Sequence, residues 1–194
     1  NLLPTNRTLT SATLRALVNP EGTGTTAWIE YSRDPGLSGV GITIFAGSTP
    51  GFNGGPRQNA KFDSPTGLAR SAAGIIYIAD TGNHSIRAID SDGTTRTIAG
   101  TGTPGFREGS ALLAQFSSPT AVTVATDGTL YVADSGNHRI RSISPTGEVS
   151  TIAGTGEAMF TDGVAGAARF NTPSGLTLET DDVLHVADTQ NHRI

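Results

Sequence analysis

Asp134, Asn137 and His138 stand within five residues of one another, and an aspartate beside a histidine is the pairing from which general bases and metal sites are built. Asp80 and Asn83 repeat the pattern upstream, and Asp188, Asn191 and His192 repeat it downstream. One histidine per cluster falls short of the three or four converging ligands that zinc requires. A turn explains the set better. Aspartate at the start of a turn accepts backbone N–H groups, Gly136 can supply a positive φ, and asparagine tolerates the left-handed region. A catalytic group has no reason to recur in every unit, whereas a turn does. All eight residues are therefore read as structural, with no catalytic residue, metal ligand set or cofactor expected.

The residues are positioned by a repeat. Residues 130–140 read LYVADSGNHRI, and they recur as IYIADTGNHSI at 76–86 and LHVADTQNHRI at 184–194. Asp80, Asp134 and Asp188 lie 54 residues apart, as do Phe62, Phe116 and Phe170, and Pro65, Pro119 and Pro173. Self-similarity at such a step marks an array of one small unit. In the middle copy, β-favourable runs at 121–124, 130–133, 139–143 and 149–153 alternate with Gly, Asp, Asn and Pro turns. Such an antiparallel meander leaves both faces partly apolar, and radial stacking of sheets buries them. Linear solenoids use shorter steps or helices. The expected fold is all-β: a propeller fragment over 42–194 of about three four-stranded blades (42–96, 97–150 and 151–194), the last truncated.

Residues 1–41 lack the period. The alternating run 13–18, the turn Asn19-Pro20-Glu21-Gly22 and the β-rich run 25–31 predict a hairpin, which needs further strands to be stable. An apolar content of 36% suits an ordinary core, and the absence of cysteine rules out disulfides while leaving the compartment open. A formal charge of −4 opposes nucleic acid and anionic membrane as partners, and no run approaches the roughly 18 apolar residues of a membrane helix. Beginning at Asn1 and stopping within the third copy, the sequence reads as a piece of something longer.

The recurrent Pro-x-Gly, Asp-Gly, (Leu/Ile)-Tyr-(Val/Ile)-Ala-Asp-(Thr/Ser)-Gly-Asn-His-(Arg/Ser)-Ile and Thr-Ile-Ala-Gly resembles the NHL repeat, with Arg or Ser following Asn-His. That resemblance implies a β-propeller, commonly of six blades in intact relatives. Residues 12–35 resemble the fibronectin type III-like modules of bacterial surface and secreted proteins, which implies a partial sandwich module over 1–41 and an extracytoplasmic location. Two or three blades cannot close a ring, so self-association of the incomplete propeller is expected.

Successive meander turns alternate ends, which places the turn after Asp134 and the long connections between copies at one end. Connections of such length are functional or self-packed. Phe52 with Phe62, Phe106 with Phe116 and Phe160 with Phe170 recur in every copy, which predicts a packing role for both members of each pair. The variable positions are the binding candidates: Asn53, Arg57, Arg107, Glu108, Thr161 and Asp162. Residues 111–114 and 165–168 predict a single helical turn. Arg87 and Arg141 predict surface ion pairs with Asp80 or Asp134 of about 0–1 kcal/mol. Asp90-Ser91-Asp92-Gly93 resembles the opening of a calcium loop but lacks its glutamate, and reads as a hairpin turn.

These features favour a non-catalytic binding or scaffolding propeller that takes a protein or glycan ligand on its long loops. The alternative implied by the NHL resemblance is an enzyme, like the lyase acting on peptidyl-α-hydroxyglycine, with metal held by histidines in a central channel. Residues 67–70, 121–124 and 175–178, which would line that channel, contain no histidine. RNA binding, known among animal NHL proteins, conflicts with the acidic total.

Overall fold

A computed structural model describes residues 44–179 and 183–194. The hairpin and sandwich-like module expected before residue 42 lie outside the described residues.

The fold is a series of antiparallel sheets. The first unit contains β1 (Gly55–Pro56), β2 (Pro65–Arg70), β3 (Ile76–Asp80), β4 (Ser85–Ile89) and β5 (Thr94–Ala99), in spatial order β1-β5-β4-β3-β2. The second repeats it with β6 (Gly109–Ser110), β7 (Pro119–Val124), β8 (Leu130–Asp134), β9 (Arg139–Ile143) and β10 (Glu148–Ala153), in order β6-β10-β9-β8-β7. In the third, β11 (Pro173–Leu178) pairs with β12 (Leu184–Asp188).

The meander of four strands is as expected, but each complete sheet has a fifth strand. Two residues of the long connection, Gly55–Pro56 or Gly109–Ser110, pair with the start of β5 or β10. The physical reason is the outer edge: a fourth strand facing solvent would leave a row of N–H and C=O groups open, and a short segment held by a following turn covers it. In that turn, the N–H groups of Asn59 and Ala60 both donate to the Pro56 carbonyl, and those of Leu113 and Ala114 to the Ser110 carbonyl. This is the helical turn expected at 111–114. Val164, Ala167 and Ala168 form its counterpart in the third unit.

Sheets stack face to face through apolar side chains. Ala79, Ile86 and Ala99 of the first sheet meet Phe116, Val122, Val132, Ile143 and Val149 of the second unit. Ala121, Ala133 and Ile140 of the second meet Phe170, Leu176, Leu184 and Val186 of the third. Each fully buried aliphatic or Phe side chain contributes about 1.5–3 kcal/mol. The first strands of adjacent sheets nearly touch: a Cβ on Gly67 would lie 2.6 Å from the Thr120 carbonyl oxygen and 2.7 Å from the Ala121 Cα. Only glycine allows that approach.

Candidate functional site

The repeated aspartate is the centre of a buried polar cluster. It ends the second meander strand, where the short turn Thr81–Asn83 or Ser135–Asn137 reverses the chain. In the first unit, Asp80 Oδ1 accepts the Asp63 N–H (2.7 Å), while Oδ2 accepts Asn83 Nδ2 (2.9 Å) and Arg87 Nη1 (3.2 Å). In the second, Asp134 accepts the Ser117 N–H (2.8 Å), Asn137 Nδ2 (2.8 Å) and Arg141 Nη1 (2.9 Å). The asparagine also donates to the long connection, at the Gly51 carbonyl (2.7 Å) or the Gly105 carbonyl (2.8 Å).

The arginine completes the cluster. Arg87 donates through Nη1 to the Lys61 carbonyl (3.4 Å) and through Nη2 to the Asn53 carbonyl (2.9 Å). Arg141 treats the Gln115 (3.4 Å) and Arg107 (3.0 Å) carbonyls alike. Both Nε atoms are buried without a hydrogen-bond partner. The expectation of surface ion pairs is therefore corrected: the side chains of Arg87 and Asp80 are 1% and 0% exposed, and those of Arg141 and Asp134 both 0%. The sequence misleads here because strand alternation places a charge between isoleucines, which ordinarily marks a solvent face, whereas the long connection folds over that face.

Burial pushes the Asp80 and Asp134 carboxyls above the ordinary aspartate value, against the opposing effects of their N–H donors and the adjacent arginine charge. Burial also pulls Arg87 and Arg141 down, against the aspartate charge. Taking two charges out of water offsets much of their attraction, and what the contacts show is a pair that fixes geometry. What it fixes is the path of the connection, through two carbonyl contacts in each unit.

Two further expectations need revision. Gly136 and Asn137 do not adopt the positive φ of the turn; His138 does (φ 52°), as do His84 (49°) and His192 (57°). The left-handed histidine points its ring at the next unit, so that His84 Nδ1 accepts the Ser118 N–H and His138 Nδ1 the Thr172 N–H, both at 3.0 Å. The histidine is a clasp between sheets as well as a turn residue. Its sequence signal was its recurrence directly after the asparagine. The phenylalanine pairs also split. Phe62 and Phe116 are buried, but Phe52, Phe106 and Phe160 are exposed on one face, and the guanidinium groups of Arg87, Arg141 and Arg193 lie 4.7, 4.7 and 3.5 Å from their respective ring centres.

The candidate binding residues do not form one patch. Asn53, Arg107 and Thr161 occupy equivalent bridges opposite Lys61, Gln115 and Arg169, beside the aspartate clusters. Arg57 lies elsewhere: its N–H donates to the Gly93 carbonyl in the turn that joins β4 to β5, and its guanidinium covers Phe45 at 4.3 Å. The long connection thus reaches both ends of the sheet instead of staying at one. Glu108 is engaged, accepting the Thr151 N–H at 2.7 Å, an interaction that holds its carboxyl below the usual range. Asp162 is exposed. The Asp92 side chain caps its own turn by accepting the Thr94 N–H (2.8 Å), as expected for a hairpin. Sequence reading missed Leu112 and Leu113, adjacent on the turn after β6 and 60% and 53% exposed. The signal was their difference from the smaller or polar residues at the same turn in the other copies.

In the third unit Asp188 accepts the Asn171 N–H and Asn191 Nδ2, both at 2.7 Å. No group of three or more potential metal ligands occurs among the described residues.

Comparison with known proteins fits this geometry. The NHL repeat family model matches residues 62–89 and 116–141, each running from the buried phenylalanine into the strand that carries the arginine of the cluster. Protein SUPPRESSOR OF QUENCHING 1, chloroplastic, of Arabidopsis thaliana is 38% identical over 171 residues, covering 79% of this chain and 16% of that protein. NHL repeat-containing protein 2 of Bos taurus is 32% identical, covering 77% of this chain and 23% of that one. The chain thus spans less than a quarter of the length of these relatives. Among solved structures, an auxiliary nutrient binding protein of Bacteroides thetaiotaomicron superposes with a TM-score of 0.61 at 26% identity, covering 66% of this chain and 35% of that one.

Proposed function

We propose that these NHL repeats form a non-catalytic binding and scaffolding surface within a larger protein, which takes a protein or glycan ligand on the connections between sheets. The observation that carries this reading is the division of labour within each unit. The aspartate, asparagine, histidine and arginine that could do chemistry are consumed by one another and by backbone groups. The positions that vary between copies lie on the connections, with Asn53, Arg107, Thr161 and Asp162 exposed.

The exposed Leu112 and Leu113 favour a protein ligand over a glycan, because adjacent aliphatic side chains gain by burial against another apolar surface and offer a sugar no hydrogen bond. The relation to a nutrient binding protein supports a binding role in general terms.

The test is made on the intact parent protein. A photoreactive group at position 112 should crosslink a partner, and Leu112→Ser with Leu113→Ser should weaken that partner's binding by at least about tenfold while leaving the melting temperature unchanged. Saturable turnover by the parent, abolished by one substitution in these connections, overturns the reading.

A further inference from the structure

We propose that the gap between the first and second sheets, at the end away from the aspartate clusters, is a binding site for a small neutral molecule made of an apolar ring and a carbonyl acceptor. The site is independent of the connection positions Asn53 and Arg107, which lie beside those clusters. A cavity of about 210 Å³ opens there. Tyr77, Arg96 and Ile98 bound it on one side, and Leu130, Ile143 and the turns that contain Gly128 and Gly147 bound it on the other.

Strand register explains the wall on the first sheet. Tyr77 pairs with Ala88 and Ala88 with Arg96, so the three stand in one row across β3, β4 and β5 and share a face. The methyl group of Ala88 is the low point of that row, with a long side chain on either side. The equivalent row in the second sheet is Tyr131, Ser142 and Ser150, which has no guanidinium. Arg96 is thus a departure from the repeat at a position where serine builds the same sheet. On the opposite wall, Leu130 and Ile143 are paired across β8 and β9 and each is 2% exposed. Gly128 (φ 89°) and Gly147 (φ 81°) make the adjoining turns without side chains that could fill the space. Arg96 and Pro145 are exposed, so the cavity has an apolar floor and an open rim.

Volume and polar groups together set the chemistry of the guest. An engineered apolar cavity of roughly 150 Å³ holds benzene, so this one suits a six-membered ring with a small substituent. Arg96 donates through Nε and Nη2 to the two oxygens of Asp90, at 2.8 and 3.1 Å, and its Nη1 has no hydrogen-bond partner among the described residues. The Tyr77 hydroxyl has none either. Ser144, also on the wall, is occupied by the Thr146 hydroxyl (2.8 Å) and the Glu148 N–H (3.0 Å). Two donors beside an apolar floor call for an acceptor. Asp90 already balances the guanidinium charge, so a neutral carbonyl fits better than a carboxylate, which would meet Asp90, or a cation, which would meet Arg96.

The probe is radiolabelled benzamide, followed by equilibrium dialysis against the intact parent protein. We expect saturable binding with a dissociation constant in the millimolar range or below. Benzoate and benzamidine are planar molecules of the same outline that carry a negative and a positive charge, and each should bind at least about fivefold more weakly. Arg96→Ser, which installs the residue found at position 150, should weaken benzamide at least about fivefold and leave the circular dichroism spectrum unchanged. Tyr77→Phe should weaken it to a smaller extent. No saturable binding, equal affinity in Arg96→Ser, or tighter binding of either charged analogue overturns the proposal.

Discussion

The clusters at Asp134 and Asp188 share a carboxylate, an asparagine amide and a backbone N–H donor, and the Asp134 cluster shows in addition what the arginine does. Two tasks are performed there together. The aspartate and asparagine make the turn and hold the residue after the buried phenylalanine, and they do so in both places. Only the arginine, by reaching the carbonyls of residues 107 and 115, ties the long connection to the sheet.

The largest expected difference between the two clusters comes from removing the arginine. Arg141→Met leaves Asp134 buried and unpaired and should cost about 3–5 kcal/mol in urea unfolding, while Asp188→Asn should cost less than about 1.5 kcal/mol. Similar losses would mean that the arginine adds nothing beyond the turn. Next comes the approach of first strands. Gly67→Ala drives a Cβ into the backbone of residues 120 and 121 and should cost about 1–3 kcal/mol, whereas a Cβ on the equivalent Gly175 meets only the Ala187 Cβ at 3.3 Å and should cost clearly less in the same assay. The clasp follows. His84→Ala strands the Ser118 N–H and should cost about 1 kcal/mol, while His192→Ala should fall within about 0.5 kcal/mol of the parent.

The smallest effect is in pH dependence. The folded-state value of Asp134 is raised, so the folded state holds this proton more firmly than the unfolded chain does. Its contribution to stability is therefore fully present below the ordinary value of 3.8 and declines as pH rises from there through the raised value. Asp134→Asn removes this decline, so the slope of unfolding free energy against pH should become more positive in that window. Asp127, held low by the N–H and side chain of Thr129, has the opposite sign: its contribution is present above 3.8 and is lost as pH falls through the lowered value. Asp127→Asn should make the slope less positive on the acid side. An unchanged slope in Asp134→Asn would show that the pair stays ionised throughout.

Much of the fold was legible in the sequence because it rests on local periodicity. Alternation in 130–133 and 139–143, glycine at 93, 128 and 147 where φ is positive, and a step of 54 residues suffice to place the four meander strands and their turns. Strands β1 and β6 were not legible, since two residues carry no period. Burial of Arg87 and Arg141 was not legible either, because it depends on a connection that returns from 26 to 34 residues away to supply the accepting carbonyls.

The amino-acid order by itself determined that one β unit recurs and that Asp, Asn and His close its turn. Tertiary structure alone decided that the histidine joins neighbouring sheets, that the arginine is internal, and that the candidate residues Arg57 and Arg107 stand apart. The physical reason is range. Alternation and turn chemistry act over a few residues and are written in sequence, whereas desolvation depends on which distant segment covers a side chain, and that is settled only when the sheets have packed.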